Sequence, residues 1–241
     1  MASPKPTGLV KINSVNTQGS KSDILTSARQ QLERTSEPAF AAIQEAGAAP
    51  PSWKLTPHPH FPNISTGQIT QPRANSRAQP IFVAVQHASG RKNPRPSRNN
   101  QILMSNQSFM DVSELTSGKT GPGIRPPLMV ETATAMVATM HQPSNAKGLA
   151  QAQIRDQWAD PSQQAGKKRK LAAMVGDANI ENGRITTAIK ATGGHVVSPV
   201  GATQQSGGTL DHGIFNTSHA SVTTGTAMSG DHTFQQFLMH D

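Results

Sequence analysis

Apolar residues recur at helical spacing between residues 20 and 47. The segment opens with Ser20-Lys21-Ser22-Asp23, which has the form of a capping box, and it ends at Gly47 ahead of two prolines. The apolar positions on one helical face are Ile24, Leu25, Leu32, Phe40 and Ile43. The pattern predicts a pair of short helices. Because short helices need a packing partner, we expect this face to dock a protein partner.

Three further helices are expected in the second half of the chain. Their ranges are about 129–141, 145–159 and 167–176. The second of them aligns Ala150, Ile154 and Trp158 at intervals of four residues, and Asp160-Pro161 should end it.

Few strands are expected. Ile81–Gln86 is apolar and rich in β-branched residues, and Asn182-Gly183 between Ile180 and Ile185 is a hairpin signal. Five regions follow from these patterns: a flexible tail over 1–19, a short helical pair over 20–47, a basic Pro/Gly-rich extended region over 48–127, a partly helical segment over 128–192, and a flexible tail rich in Gly, Ser, Thr and His over 193–241.

The composition offers little material for a core. Leu, Ile, Val and Phe together number 43 of 241 residues, aromatic residues make up 4%, and Tyr is absent. Chains with less than roughly 20% of these core-forming residues struggle to bury enough surface to offset chain entropy. We therefore expect a mostly disordered or irregular chain with a few short α-helices, at most one or two short strands, and no large single core.

The absence of cysteine narrows the classes of function. It excludes a disulfide framework, a cysteine-based zinc site and a thiol nucleophile. Because no apolar stretch follows Met1 and no apolar run is long enough to span a membrane, we expect a protein that is intracellular, not secreted and without a membrane partner.

The charge of the chain, formally +8, is unevenly distributed. No acidic residue lies between Glu45 and Asp111, whereas the residues after Lys170 are mildly acidic. Such asymmetry predicts a polyanionic partner, nucleic acid in particular. The alternative interpretation is that the basic residues only keep a polar chain in solution.

Two basic clusters are the candidate binding sites. The first is Lys167, Lys168, Arg169 and Lys170, which resembles short nuclear-import signals; the second is Arg91, Lys92, Arg95 and Arg98. Adjacent cations bind phosphate backbones largely by releasing counterions, and prolines keep the second cluster extended. A solvated helix face is the alternative interpretation of the first cluster.

No enzyme motif is complete. Ser117-Gly118-Lys119-Thr120 resembles the end of a phosphate-binding loop, but Ser113 stands where the motif needs glycine. The nine histidines lack the spacing of a metal site, and a Gly-x-Ser-x-Gly elbow is absent. We expect exposed histidines, no catalytic residues, no metal, no cofactor and no evident small-molecule substrate.

These observations favour a nuclear or nucleic-acid-associated regulatory protein that is not an enzyme. It would bind polyanion through its basic segments and protein partners through its short helices. Two alternatives stay open: a structural or assembly protein of a virion or large complex, ordered only on its partner, and a small globular binding domain or enzyme.

Overall fold

The computed structural model describes residues 8–18, 22–69, 79–87, 100–115, 126–142, 150–205, 207–229 and 232–240. The helices in these ranges are α1 (Ser22–Arg34), α2 (Ala150–Lys168) and α3 (Asn182–Lys190). The strands are β1 (Val10–Asn16), β2 (Ala39–Ala46), β3 (Leu55–Pro57), β4 (Ile64–Ile69), β5 (Ile81–Gln86), β6 (Asn100–Ser105), β7 (Asp111–Glu114), β8 (Leu128–Glu131), β9 (Ala135–His141), β10 (Leu171–Asp177), β11 (His195–Val197), β12 (Asp211–Phe215), β13 (Ala220–Ser229) and β14 (His232–Met239).

The strands form two mixed sheets that pack face to face. Sheet A has the strand order β13-β14-β1-β2-β6-β5-β4-β3, and sheet B has the order β11-β12-β10-β9-β8-β7. One buried cluster joins the two sheets, with Ile12, Phe40 and Leu103 from sheet A and Val137 and Val175 from sheet B. The interior between the sheets is therefore a continuous apolar layer.

The helices cover the outer faces of the two sheets. Helix α1 buries Leu25 and Leu32 against sheet A. Helix α2 buries Trp158 against sheet B, and α3 adds Ile185 and Ile189 to the same cluster. The result is a four-layer arrangement of helix, sheet, sheet and helices.

The expected fold class is wrong, and the central strands show why. All seven residues of β10 and seven of the eight in β2 are buried, because neighbouring layers cover both faces of each sheet. Such strands lack the alternation of polar and apolar residues that marks a half-exposed strand. Half of β2 is alanine, a strong helix former. Strands occupy most of the ranges in which further helices were expected. The segment after Arg34 to residue 47 contains β2, the range 129–141 contains most of β8 and all of β9, and the range 167–176 contains most of β10.

The expectation that the chain lacks a large core is also wrong. Small and flexible side chains fill much of the interior in place of Leu and aromatic residues. Buried examples are Ala41, Ala42, Ala84, Ala138, Ala173, Met104, Met136, Met140 and Met174. Alanine and methionine therefore supply buried apolar surface both between the sheets and under the helices, so a low content of large apolar residues did not prevent folding.

Other elements differ less from their predictions. The strand predicted at Ile81–Gln86 is confirmed as β5, whereas Asn182-Gly183 opens α3 instead of a hairpin. Helix α2 continues through Pro161, where burial of Trp158 and other residues offsets the roughly 3 kcal/mol cost of an interior proline. No helix in the described ranges is long and apolar enough to cross a membrane.

The topology brings several strand ends to one edge of the sandwich. β1 and β2 run parallel to each other, as do β9 and β10, so their carboxyl ends lie together. β12 is antiparallel to β10 and β14 is antiparallel to β1, so both begin where those strands end. We call this edge, where four strands end and two begin, the site edge.

Candidate active site

Polar residues that are distant in the sequence meet at the site edge. They stand at or beside the strand ends: Asn16, Glu45, His141, Asp177, Asp211 and His232. Asn16 and Asp177, whose side chains are hydrogen-bonded, are 161 positions apart. Most of these groups are buried, and burial of so many polar groups is costly unless each has a partner.

His232 and Asp211 form a buried imidazole–carboxylate pair. His232 Nδ1 lies 3.0 Å from Asp211 Oδ2. A carboxylate accepts hydrogen bonds, so the proton of the neutral ring is on Nδ1 and the lone pair is on Nε2. That Nε2 lies 3.7 Å from Asp177 Oδ2. An imidazole oriented in this way by a carboxylate is suited to act as a general base.

Asp177 is held by hydrogen bonds on both carboxylate oxygens. Asn16 Nδ2 donates to Oδ2 at 3.0 Å, and the backbone N–H of Asn179 donates to Oδ1 at 2.9 Å. Burial, with a further contribution from the charge of Asp211, raises the pKa of Asp177 to about 6, although His141 and His232 act in the opposite direction. Asp177 can therefore change its protonation state near neutral pH.

Gly176 allows β10 to approach β9 and β2 closely just before Asp177. Its φ is +137°, and a Cβ at this position would collide with the carbonyl oxygen of Met140 and lie 2.9 Å from Gln44 Nε2. Only glycine meets both the conformational and the spatial requirement. The position of the Asp177 carboxylate thus depends on its neighbour having no side chain.

Glu45 and His141 form a second, more accessible pair. His141 Nε2 lies 2.9 Å from Glu45 Oε1, and the side chains are 12% and 24% exposed, respectively. Burial alone would raise the pKa of Glu45, but the hydrogen bond and charge of His141, with smaller contributions from Asn16 and His232, lower it below its ordinary value. Glu45 therefore remains ionised at neutral pH and is available to a cation.

A bulge in β2 places the Glu45 side chain. The register of β2 with β6 shifts between Ile43 and Ala46, and Glu45 has a φ of +48°. Bulges re-aim side chains, and a positive φ is uncommon for a residue other than glycine. This irregularity lies at the site edge. Residues in uncommon backbone conformations are concentrated at functional sites in proteins.

His212 fixes the backbone beside the pair. Its Nδ1 lies 2.8 Å from Ser198 Oγ, and its Nε2 lies 2.8 Å from the carbonyl oxygen of Ile180. Burial lowers the pKa of His212, so the ring is neutral. It therefore links β12 to the segments that follow β10 and β11.

The first predicted basic cluster lies away from the site. Lys168 and Lys170 both bind Glu131, at 2.5 and 2.7 Å, and Glu131 pairs with Met136 near the start of β9, at the opposite edge from Asp177. Lys167 and Arg169 are exposed. Binding of nucleic acid or an import receptor by this cluster, and the nuclear localisation that it implies, remain predictions.

The other predicted site residues have different placements. The second basic cluster, Arg91, Lys92, Arg95 and Arg98, lies outside the described residues. The predicted docking face is part of the core. Leu25, Leu32 and Ile43 are buried between α1 and sheet A, where Ile24 packs against them, and Phe40 is buried between the two sheets. These residues hold α1 against sheet A.

Sequence reasoning missed the residues of the site edge, and it placed His212 and His232 in a solvated tail. Both histidines are buried. A local signal was nonetheless present, because Asp177 and His141 each follow a largely apolar run. Polar residues at the ends of buried strands are candidates for a shared site, but only the topology shows which ends meet.

Comparison by sequence finds no matching family model and no matching curated protein. Comparison by structure finds many matches, and cytolethal distending toxin structures from two organisms are among them. The toxin of Actinobacillus actinomycetemcomitans matches with a TM-score of 0.77 and 20% identity over 96% of this chain and 98% of that chain. The toxin of Haemophilus ducreyi matches with a TM-score of 0.75 and 19% identity over the same shares.

A third structure, an endonuclease/exonuclease/phosphatase family protein from Leptotrichia buccalis, matches with a TM-score of 0.55 and 10% identity over 96% of this chain and 99% of that chain. At these identities the likeness establishes a shared fold. It contradicts the expectation of a disordered regulatory protein that is not an enzyme, because the fold is one that a nuclease or phosphatase family uses. The expectation that no small-molecule substrate is evident is overturned for the same reason.

Proposed function

We propose that this chain is a hydrolase of phosphate esters whose reaction takes place at the site edge. The observation that carries the proposal is the buried Asp211–His232 pair beside Asp177. Its support is the fold, which is shared with an endonuclease/exonuclease/phosphatase family protein. A buried general base next to a carboxylate whose pKa is raised is typical of hydrolytic sites.

His232 acts as the general base in this mechanism. Because Asp211 holds the Nδ1 proton, the lone pair of Nε2 can take a proton from a water molecule. The water oxygen then bonds to phosphorus, the bond from phosphorus to the ester oxygen breaks, and the departing oxygen takes up a proton from solvent. Asp211 stabilises the imidazolium that forms, and Asp177, 3.7 Å from Nε2, is placed to hydrogen-bond the same water.

Phosphoryl transfer commonly uses a divalent cation, and the residues of the site edge fit some cations better than others. In the described ranges no three His, Asp or Glu side chains are grouped to hold a metal ion, which does not fit zinc enclosed by protein ligands. Mg²⁺ needs only one or two carboxylates together with waters and substrate phosphates. The accessible, ionised Glu45 fits this requirement, and His141 orients it.

When bound at Glu45, Mg²⁺ supplies positive charge that stabilises the negative charge on the phosphate oxygens. The remaining work belongs to the chain itself. Asn16 positions Asp177, His141 keeps Glu45 ionised, and Asp211 keeps His232 in the reactive tautomer. Each of these positioning contacts is made between different strands, so the reaction depends on the intact sandwich.

The test is hydrolysis by the purified chain with Mg²⁺. The substrates are supercoiled plasmid DNA, bis(4-nitrophenyl) phosphate as a phosphodiester and 4-nitrophenyl phosphate as a monoester. We expect turnover of at least one, and we expect His232→Gln to lower kcat/KM by at least about 100-fold because the general base is lost.

The matched control is His219→Gln, which removes an exposed histidine from the loop between β12 and β13, outside the site. We expect this variant to keep wild-type activity. The proposed function would be contradicted if none of the three substrates is hydrolysed, or if His232→Gln keeps full activity.

A further inference from the structure

The loop between β11 and β12, residues 198–210, places a carboxamide against the catalytic imidazole. Gln204 Nε2 lies 2.9 Å from His232 Nε2. Gln204 and His232 also form an antiparallel bridge through their backbones. The carboxamide therefore contacts the ring nitrogen that the proposed mechanism uses as the base, opposite the nitrogen that contacts Asp211.

Thr203 anchors this loop to the backbone next to both members of the Asp211–His232 pair. Its hydroxyl oxygen accepts hydrogen bonds from the N–H groups of Leu210, at 3.0 Å, and Asp211, at 3.3 Å. Its carbonyl oxygen accepts a hydrogen bond from the N–H of Thr233, at 3.0 Å. Thr203 is fully buried. The same loop thus positions the start of β12, which carries Asp211, and the start of β14, which carries His232.

The chemistry of the contact is set by its donor. An amide nitrogen can only donate, so Nε2 of His232 must accept and is unprotonated in this arrangement. This agrees with the Nδ1 proton that Asp211 requires. Hydrogen bonding to the neutral form of a group favours that form. Gln204 therefore opposes protonation of His232.

The charged groups around His232 act in the other direction. Asp211 on β12 and Asp177 on β10 lie within 3.0 and 3.7 Å of the ring nitrogens, and the charge of Glu45 on β2 is also felt at His232. Three carboxylates would favour the imidazolium, which is useless as a base. On the neighbouring strand β9, His141 lies against Glu45, with 2.9 Å between its Nε2 and Glu45 Oε1. A donor aimed at Nε2 acts against these charges, because it bonds only to the unprotonated nitrogen.

We propose that Gln204 is a positioning residue for His232. Its hydrogen bond to Nε2 fixes the orientation of the imidazole ring and favours the neutral form, which can act as a base. The reacting water competes for the same nitrogen and displaces the carboxamide when it transfers its proton. After transfer, the carbonyl oxygen of the same carboxamide can accept from Nε2–H, so one side chain serves both protonation states. The catalytic role of Gln204 rests on the proposed function, whereas its hydrogen bond to His232 can be tested without any substrate.

The experiment follows the His232 ring by NMR in isotope-labelled protein, across a pH titration with EDTA present. Gln204→Met removes the donor and keeps the side-chain length. A hydrogen bond of ordinary strength corresponds to a pKa difference of up to about 1 unit, so we expect the pKa of His232 to rise by about 0.5 to 1 unit. Gln205→Met is the matched control, because Gln205 is exposed and adjacent, and it should leave the titration of His232 unchanged.

Gln204→Glu gives a second measurement if the Met variant folds poorly. Its carboxylate favours the imidazolium, so we expect a rise of about 1 unit or more. Catalysis is followed separately: the acidic limb of the pH profile of kcat/KM should move upward with the NMR titration. A merely structural role would lower the Tm of the variant and leave both pH profiles in place.

The outcomes separate the two proposals. An unchanged His232 titration in both Gln204 variants overturns the role of Gln204, even if His232 proves essential for hydrolysis. A raised titration in a protein that hydrolyses no phosphate ester supports the contact with Gln204 and overturns the proposed function alone.

Discussion

Replacing Asp177 by Asn should change how the stability of this protein depends on pH. The carboxylate is buried, and burial together with Asp211 raises its pKa from the ordinary value of 3.8 to about 6. A group whose folded-state pKa lies above its unfolded value stabilises the fold when it is protonated. This contribution is fully present below about pH 4 and is lost as the pH rises through about 6.

The magnitude follows from the size of the shift. A difference of about two pKa units corresponds to on the order of 3 kcal/mol, at about 1.4 kcal/mol per unit. Asn has nearly the same shape as Asp and does not titrate, so the variant lacks this dependence. The free energy of unfolding of the wild type minus that of Asp177→Asn should fall by about 3 kcal/mol between pH 4 and pH 7.

The assay is urea unfolding at a series of pH values with EDTA present, followed by tryptophan fluorescence, since Trp158 is buried in the core. Groups whose pKa shift does not involve Asp177, such as His212, contribute equally in both proteins and cancel in the difference. A difference in unfolding free energy that stays constant from pH 4 to pH 7 would refute the reasoning that Asp177 is forced to bind a proton by its buried position.

Two further perturbations test the core and the cation site. Trp158→Ala should lower the free energy of unfolding in urea by about 3 to 5 kcal/mol, because the ring is fully buried between α2 and sheet B. The control Trp53→Ala, at a partly exposed position, should lower it clearly less. Equal decreases in the two variants would contradict the packing described for α2. Glu45→Gln should weaken Mg²⁺ binding, measured by calorimetry, at least 10-fold and should lower hydrolytic activity as well. The control Glu37→Gln, at the opposite edge, should change neither quantity. An unaltered Mg²⁺ affinity of Glu45→Gln would show that Glu45 does not bind the cation.

Some elements of this fold could be predicted from the sequence because their signals are local. Ser22–Arg34 and much of Ala150–Lys168 are amphipathic helices, and Ile81–Gln86 is a short apolar strand. Such elements are determined by capping, spacing and β-branched content within a few residues. They account for only a small part of the architecture, since most of the structure is pairing between distant strands.

The central strands could not be recognised in the same way. Ala39–Ala46 and Leu171–Asp177 are buried on both faces and contain several alanines, so they present neither alternation nor strand-like composition. Their identity depends on neighbours such as β1 and β9, which are supplied by other parts of the chain. Composition misled the sequence analysis because Ala and Met fill a core for which Leu and aromatic residues were expected.

The candidate site was hidden for a related reason. Asn16, Asp177 and His232 come from β1, β10 and β14, and no spacing in the sequence connects them. His232 was interpreted as a solvated residue because glycine, serine and threonine surround it in the sequence. Its burial and its partners, Asp211 and Gln204, become visible only when the strand order is known.

Hydrolysis of a phosphate ester in water enriched in ¹⁸O shows whether water attacks phosphorus, which is the step that we propose His232 promotes. The product phosphate should carry one ¹⁸O atom per turnover, the released alcohol should carry none, and His232→Gln should lower the rate of incorporation at least about 100-fold. Label in the alcohol, or no incorporation with any phosphate ester, would contradict the assignment of this buried histidine and its carboxylates to phosphate ester hydrolysis.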